Sequence, residues 1–220
     1  MAQRARGRAR RVLRPGDRAA VITRQLAVQP VADLPELALY TAHPGSGLSR
    51  LGGAPPYWAY VWAGGAALAR HVLDQPDLVR GKRVLDFGAG SGVVAIAAAR
   101  AGAARVFAVE RDPWGRAAVA LNAALNAVVV TLVPIDAMPP VDVVLGGDVF
   151  YSSEVAAEVL PVLDRCREQG ARVLVGDPGR ADLARGRLIL LARYDVRDVG
   201  DAPGVTSQAG VYALAPPSGA

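Results

Sequence analysis

The fold is decided by the stretch Val84-Leu85-Asp86-Phe87-Gly88-Ala89-Gly90-Ser91-Gly92, in which an apolar strand runs directly into a glycine-rich turn. Three glycines let the backbone bend tightly and leave room for a ligand to lie against it. A dinucleotide-binding turn has the spacing G-x-G-x-x-G, but here the third glycine comes one place early and Val93 stands where it is required. A Walker loop needs Gly-Lys-Ser/Thr, which is absent. The turn therefore disfavours both of these nucleotide-binding devices.

Apolar strands and helical patterns alternate along the chain on both sides of this turn. The patterns predict strands at 83–87, 105–110, 128–133, 141–145 and 172–176, closing strands at 194–199 and 210–215, and helices at 57–73, 91–100, 113–126, 154–169 and 181–191. Such alternation is typical of an α/β, Rossmann-like fold: a seven-stranded, mostly parallel sheet with helices on both faces. In sheets of this kind the ligand lies at the carboxyl ends of the strands.

Charge is distributed unevenly along the sequence. The net charge is +5, and seven of the 25 basic residues but only one of the 20 acidic ones lie in the first 18 residues. The rest of the chain is therefore close to neutral. We expect a basic, disordered tail over 1–20, either a solvated arm or a contact for acidic partners, then an irregular leader over 21–56 with at most a short strand at 37–41, and one catalytic domain over 57–220.

Composition also bounds the location and the kinds of site. The single cysteine, Cys166, allows no disulfide within the chain and fits a reducing compartment, where it is expected to be a small core residue. No run of about 18 uncharged apolar residues indicates a membrane span. His43 and His71 are too few and too separate to predict a metal site. We expect a cytoplasmic monomer; an Arg-rich start also resembles a transit segment, which leaves the mitochondrial matrix open.

The spacing D-x-G-x-G-x-G, formed by Asp86, Gly88, Gly90 and Gly92, resembles motif I of class I methyltransferases, which bind S-adenosylmethionine. That ligand has no phosphate but carries an ammonium group, which a carboxylate at Asp86 can anchor directly or through water. Glu110 ends the next strand, about 20 residues past the loop, where a carboxylate can accept both ribose hydroxyls.

Two further groups are assigned with an alternative left open. Asp136 follows the third strand, where it is either a contact for the adenine amino group or a solvated loop acid. Trp62 lies beside Gly64-Gly65 and either contacts the cofactor or belongs to an apolar helix face, whereas Trp58 is expected in the core.

Three segments strengthen and narrow the resemblance: Pro55–Arg70 (PPYWAYVWAGGAALAR), Gly147–Tyr151 (GDVFY) and Gly176–Arg180 (GDPGR). Together with Val79–Asp86 they resemble the electron transfer flavoprotein β-subunit lysine methyltransferases. The resemblance implies that Asp148 and Tyr151 face an incoming lysine and that S-adenosylmethionine supplies the methyl group. It implies a protein-lysine N-methyltransferase whose partner is the electron transfer flavoprotein β subunit.

Other functions remain open from the residues themselves. One is a methyltransferase that acts on a small-molecule amine or on a ribosomal protein. Another is a non-catalytic protein that binds the cofactor, or binds nucleic acid through its Arg-rich tail; we expect no membrane contact and regard nucleic acid as the weaker hypothesis. A nicotinamide oxidoreductase is disfavoured by the glycine spacing.

Overall fold

The computed structural model describes residues 15–51, 54–202 and 204–216. Helices and strands follow one another in chain order within these ranges. They are α1 Pro15–Gln25, β1 Ala27–Val31, β2 Leu34–Thr41, α2 Ala63–Asp74, β3 Arg83–Phe87, α3 Val93–Arg100, β4 Arg105–Val109, α4 Pro113–Leu125, β5 Thr131–Leu132, β6 Val143–Gly147, α5 Ser153–Glu168, β7 Arg172–Asp177, β8 Leu188–Val196 and β9 Ser207–Leu214.

Seven of the strands form one sheet in the order β5-β4-β3-β6-β7-β9-β8. The first five are parallel, whereas β9 is antiparallel to both β7 and β8. The order reverses between β3 and β6, which places the switch point beside the glycine turn. The predicted fold class, a seven-stranded and mostly parallel Rossmann-like sheet, is confirmed.

Alternate strand residues enter two separate cores, one on each face of the sheet. Val84 and Val143 pack with α2 and α3, whereas their chain neighbours Leu85 and Val144 pack with α5. Successive side chains of a strand point to opposite faces, so a strand covered on both sides must be apolar throughout. This explains why the central strands read as continuous apolar runs.

The structure corrects the first two predicted segments. Residues 15–20 of the predicted tail belong to α1, whose Ile22 is buried in a cluster with Trp58; residues 1–14 lie outside the described part. The predicted leader contains a β1–β2 hairpin, and Leu37 and Leu39 of β2 are fully buried. Both strands contain a proline, and proline argues against a strand except at the edge of a sheet, where one side has no neighbouring strand. For this reason the sequence pattern did not predict the hairpin.

Three other elements differ from their predictions. The helix predicted at 57–73 is a short 3-10 helix, Tyr57–Ala59, then extended chain to Trp62, then α2. The segment 181–191 does not form the predicted α-helix. Its residues Leu188–Leu191 belong to β8, which pairs with β9, and a short 3-10 helix, Arg185–Arg187, precedes them. The strand predicted at 128–133 shortens to β5.

Two asparagines tie the hairpin to the sheet domain. Asn122 of α4 is fully buried, accepts a hydrogen bond from the backbone N–H of Tyr40 at 2.8 Å and donates to the carbonyl of Ser91 in the glycine turn at 2.8 Å. Asn126, one helical turn later, accepts from the N–H of Ala38 and donates to its carbonyl. The amide side chains thus connect β2, α4 and the turn.

We predict that Asn122→Ala lowers the free energy of unfolding by about 2 kcal/mol, because it leaves a backbone donor and a buried acceptor without partners. Urea unfolding followed by circular dichroism measures the change. Gln29→Ala is the matched control, since Gln29 is an exposed amide whose side chain meets Thr41 at 3.4 Å. Equal losses in the two variants would contradict the assignment.

Candidate functional site

The glycine turn between β3 and α3 is shaped by three residues with left-handed backbone. Gly88, Gly90 and Gly92 have φ angles of 73°, 52° and 84°, which side-chain-bearing residues adopt only with strain. The carbonyl of Val109 at the end of β4 accepts from the N–H groups of Gly88 at 2.9 Å and Ala89 at 3.0 Å. The turn is therefore a fixed backbone cradle at the start of a helix.

Glu110 lies against this cradle. Its carboxylate accepts hydrogen bonds from the backbone N–H groups of Gly90 and Asp112, both at 2.7 Å. Burial raises the pKa of Glu110, and the two N–H groups oppose that rise by stabilising the ionised form. The acid that follows β4 is thus held beside the turn that follows β3, as the parallel strands require.

Asp86, the acid that leads the motif, is buried under the turn. One of its oxygens accepts from the backbone N–H of Ala95 in the first turn of α3 at 2.9 Å. Burial raises its pKa to about 7, although the Ala95 N–H favours the ionised form; the nearby Glu110 adds to the rise. A cation placed beside Asp86 would favour the ionised form and lower this pKa.

A cleft at the carboxyl ends of β3 and β6 brings five of the predicted site residues together: Trp62, Asp86, Gly88, Gly90 and Asp148. Other residues share its wall. They are Tyr60, Gly65, Ala89, Ser91, Val93, Val94 and Gly147. The cleft lies where the strand order predicts a ligand.

Asp148 follows β6 with a φ angle of 55°, a strained value for a residue with a side chain. Its carboxylate accepts from the backbone N–H of Gly65 in α2 at 2.7 Å and from Arg180 Nη2 at 2.5 Å. Burial raises its pKa to about 6, while Arg180 and the Gly65 N–H both oppose the rise. Asp148 is thus held rigidly at the cleft by two donors.

Arg180 is a residue of the site that sequence reasoning did not single out. It follows β7, and its guanidinium lies 5.9 Å from the centroid of the Trp62 ring as well as beside Asp148. The segment Gly176–Arg180 contributed only to the resemblance. The available signal was a basic residue just past a parallel strand, at the edge of the sheet where ligands bind.

An aromatic group borders the cleft. Trp62 directly precedes α2, and its Nε1 donates a hydrogen bond to the carbonyl of Tyr57 at 3.0 Å. The centroid of the Tyr57 ring lies 5.6 Å from the ring centroids of both Trp62 and Tyr151. Tyr57 and Tyr151 are each 47% exposed, so this border faces solvent. Trp58 is buried and stacks on Trp114, as the sequence predicts.

The structure does not bring Asp136 to this cleft. Asp136 lines a second cavity with Arg83, Asp142 and Cys166, at the opposite edge of the sheet where β3 and β6 begin. The reason is that β5 ends at Leu132 and the chain then turns back to start β6 at Val143. An adenine contact from this loop would need a residue closer to Leu132.

Neither a metal cluster nor a membrane-spanning helix is found in the part of the chain that the structure describes. Among those residues no group of three or more His, Cys, Asp or Glu side chains is arranged to hold a metal ion. Within the same ranges, none of the helices combines the length and the apolar character that spanning a bilayer requires.

We predict that Asp86→Asn flattens the pH dependence of stability. The folded protein binds the Asp86 proton more tightly than the unfolded chain, with a pKa of about 7 against 3.8, so rising pH costs stability across that window. Unfolding free energies at about pH 5 and pH 8, from urea titrations, measure the slope of stability against pH, which is negative. Part of this negative slope remains in the variant, because the pKa values of Glu110 and Asp148 are also raised.

Asp142→Asn is the control for this prediction. Arg83 lowers the pKa of Asp142 to about 2, so Asp142 is ionised across the whole window and its loss leaves the slope unchanged. An identical slope in wild type and Asp86→Asn would show that Asp86 is not perturbed.

Comparisons with known proteins agree with this geometry. The sequence model of the ribosomal protein L11 methyltransferase (PrmA) family matches residues 67–147, which contain the glycine turn and Glu110.

The chain has the fold of two solved structures. A Pyrococcus horikoshii protein described as a proposed RNA methyltransferase aligns with a TM-score of 0.55 at 19% identity, over 76% of this chain and 94% of that one. A precorrin-6y C5,15-methyltransferase from Geobacter metallireducens aligns with 0.51 at 20% identity, over 67% and 86%.

Curated relatives are more similar in sequence. The electron transfer flavoprotein β subunit lysine methyltransferase of Rattus norvegicus is 40% identical over 149 residues, 63% of this chain and 58% of the relative. That of Homo sapiens is 44% identical over 131 residues, 57% of this chain and 50% of the relative. The chain thus spans little more than half the length of these relatives. It has the class I methyltransferase fold and is similar, as the motifs indicated, to the electron transfer flavoprotein β subunit lysine methyltransferases.

Proposed function

We propose that this chain is an S-adenosylmethionine-dependent protein-lysine N-methyltransferase. The observation that carries the proposal is the cleft itself, which joins the glycine turn and Asp86 on one side to Trp62 and Asp148 on the other. A methyl donor held over the turn and an amine held at Asp148 would meet inside it. The similarity to lysine methyltransferases supports this assignment.

The residues of the turn fit S-adenosylmethionine better than a phosphate-bearing nucleotide. The wall of the cleft contains the carboxyl group of Asp86, and the Glu110 carboxylate lies against the same turn. In their ionised forms both groups attract a cation and would repel a pyrophosphate. Glu110 has free lone pairs besides the two it shares with N–H groups, and these suit ribose hydroxyls. Bound there, S-adenosylmethionine supplies an activated methyl group.

The acceptor side must align an amine and dispose of its proton. Lysine has an ordinary pKa near 10.4, so most of it arrives protonated and cannot attack carbon. The proton of the ammonium group passes to solvent at the open mouth of the cleft. Asp148 then offers an oxygen acceptor for an amine N–H, and is held in place by Gly65 and Arg180. The exposed rings of Tyr57 and Tyr151 provide apolar faces for the lysine stem at the mouth of the cleft.

The electron transfer flavoprotein β subunit is the substrate we favour. The relatives named for it align over 131–162 residues, whereas the ribosomal protein L11 methyltransferase model matches only residues 67–147. We also expect the protein to act as a monomer. A ribosomal protein and a small amine are the competing substrates. We expect the protein to act in the cytoplasm.

We predict that a substitution on the cofactor side of the cleft lowers cofactor affinity, whereas one on the acceptor side lowers turnover. Glu110→Ala weakens binding of S-adenosylhomocysteine by about tenfold or more, because it removes acceptors for the ribose. Asp148→Asn lowers turnover by about a hundredfold, yet changes that affinity little, because the residue serves the amine. Isothermal titration calorimetry and initial rates measure the two effects.

Asp142→Asn, far from the cleft at the start of β6, is the matched control for both variants and should alter neither quantity. If Glu110→Ala binds S-adenosylhomocysteine as the wild type does, the cofactor site is misplaced. Loss of affinity rather than turnover in Asp148→Asn would move Asp148 from the acceptor side to the cofactor side.

The substrate is tested by incubating the protein with tritiated S-adenosylmethionine and purified electron transfer flavoprotein, in parallel with purified ribosomal proteins. We expect label on a lysine of the flavoprotein β subunit, and none when its lysines have been acetylated beforehand. Label on a ribosomal protein alone would replace the substrate. Label on neither, with S-adenosylhomocysteine still bound, would favour a small amine or a non-catalytic role.

A further inference from the structure

A carboxylate next to a reacting amine creates an electrostatic problem. The amine must lose its proton before it attacks a methyl group, but a negative charge within about 4 Å favours the ammonium form and raises its pKa. If Asp148 acted with its full charge, it would attract the lysine and also keep it unreactive. The arrangement around Asp148 offers a solution to this problem.

The charge of Asp148 is already matched by a cation. Arg180 Nη2 lies 2.5 Å from Asp148 Oδ1, and the two side chains are only 25% and 10% exposed, so water screens the pair weakly. The other oxygen is held by the Gly65 N–H. Both oxygens thus have a donor, and each keeps a lone pair for one more N–H.

The backbone around Arg180 places it at this position. Asp177, fully buried at the end of β7, accepts from the N–H groups of Gly179 and Arg180, both at 2.7 Å. This turn directs the side chain of Arg180 back over the cleft, with its guanidinium 5.9 Å from the centroid of the Trp62 ring. The cation is therefore built into the acceptor side of the site.

We propose that Arg180 is a positioning residue that cancels the charge of Asp148, so that the target amine is held by a hydrogen bond to Asp148 while it is unprotonated. The inference rests on the proposed function. Arg180 acts through Asp148 and does not itself need to touch the amine. It keeps Asp148 ionised and therefore able to accept, yet leaves little net charge to stabilise an ammonium group.

Two charged groups shift the pKa of Asp148, and a third titratable group lies in the same cleft. Arg180 lowers its pKa, whereas Asp177 from the β7 turn raises it, and Asp86 shares the wall of the same cleft. Without Arg180 the pKa of Asp148 would rise further above its value of about 6. The pKa of a bound amine would also rise, because an adjacent cation is lost. Because of both changes, ionised Asp148 and an unprotonated amine would occur together only at higher pH.

The test compares Arg180→Gln, Arg180→Lys and Arg187→Gln in the full chain. Arg187 is the matched control: its guanidinium pairs with Asp164 at 2.6 Å, with side chains 19% and 21% exposed, away from the cleft. We expect the acidic limb of the pH profile of kcat/KM to move up by about one pH unit or more in Arg180→Gln. Arg180→Lys should reverse most of this shift and return the limb toward its wild-type position, because it keeps the charge. Arg187→Gln should not move the limb.

A second measurement needs no substrate. Carboxyl carbon NMR of Asp148 in the free protein should show its pKa rising in Arg180→Gln and returning toward the wild-type value in Arg180→Lys. A wild type that methylates nothing refutes the proposed function but not this charge coupling. An unchanged pKa of Asp148, or a lower rate with an unshifted pH profile, overturns the role of Arg180.

Discussion

The site depends on the close approach of the start of α2 to the ends of β6 and β7. A Cβ atom on Gly64 would collide with the carbonyl oxygen of Gly176, and one on Gly147 would lie 2.6 Å from the Cα of Gly65. Only glycines allow these backbones to touch. Because they touch, the Gly65 N–H reaches Asp148, and Trp62 just before the helix comes to the cleft. A wider spacing would separate the two halves of the site.

A second feature of the molecule is the free-energy cost of ionising its buried carboxyl groups. Burial raises the pKa of Asp86, Glu110 and Asp148, so their ionisation in the free protein opposes folding. Each is held by one or two backbone N–H groups that limit the cost. In the proposed function a cationic ligand would recover part of it. The cleft is in this sense electrostatically prepared for positive charge, with Arg180 as a local exception.

The central sheet could be predicted from the sequence because its strands are short, apolar and bounded by glycines and charges. The predicted strand at 83–87 coincides with β3, and those at 105–110, 141–145 and 172–176 lie within about two residues of β4, β6 and β7. The edges were less predictable. The hairpin at Ala27–Thr41 and strand β8 owe their form to partners distant in sequence, and local periodicity does not report such pairings.

The amino-acid sequence is enough to identify the glycine turn, the acids at the ends of β3 and β4, and the resemblance to lysine methyltransferases. These features depend on local spacing and on the order of strands and helices. Which of these groups share a cleft depends on how the chain packs in three dimensions. It placed Arg180 on Asp148 across 32 positions of chain and turned Asp136 toward the opposite edge of the sheet. Contacts of that kind are set by where loops return after each strand, and this is a property of packing that local sequence does not encode.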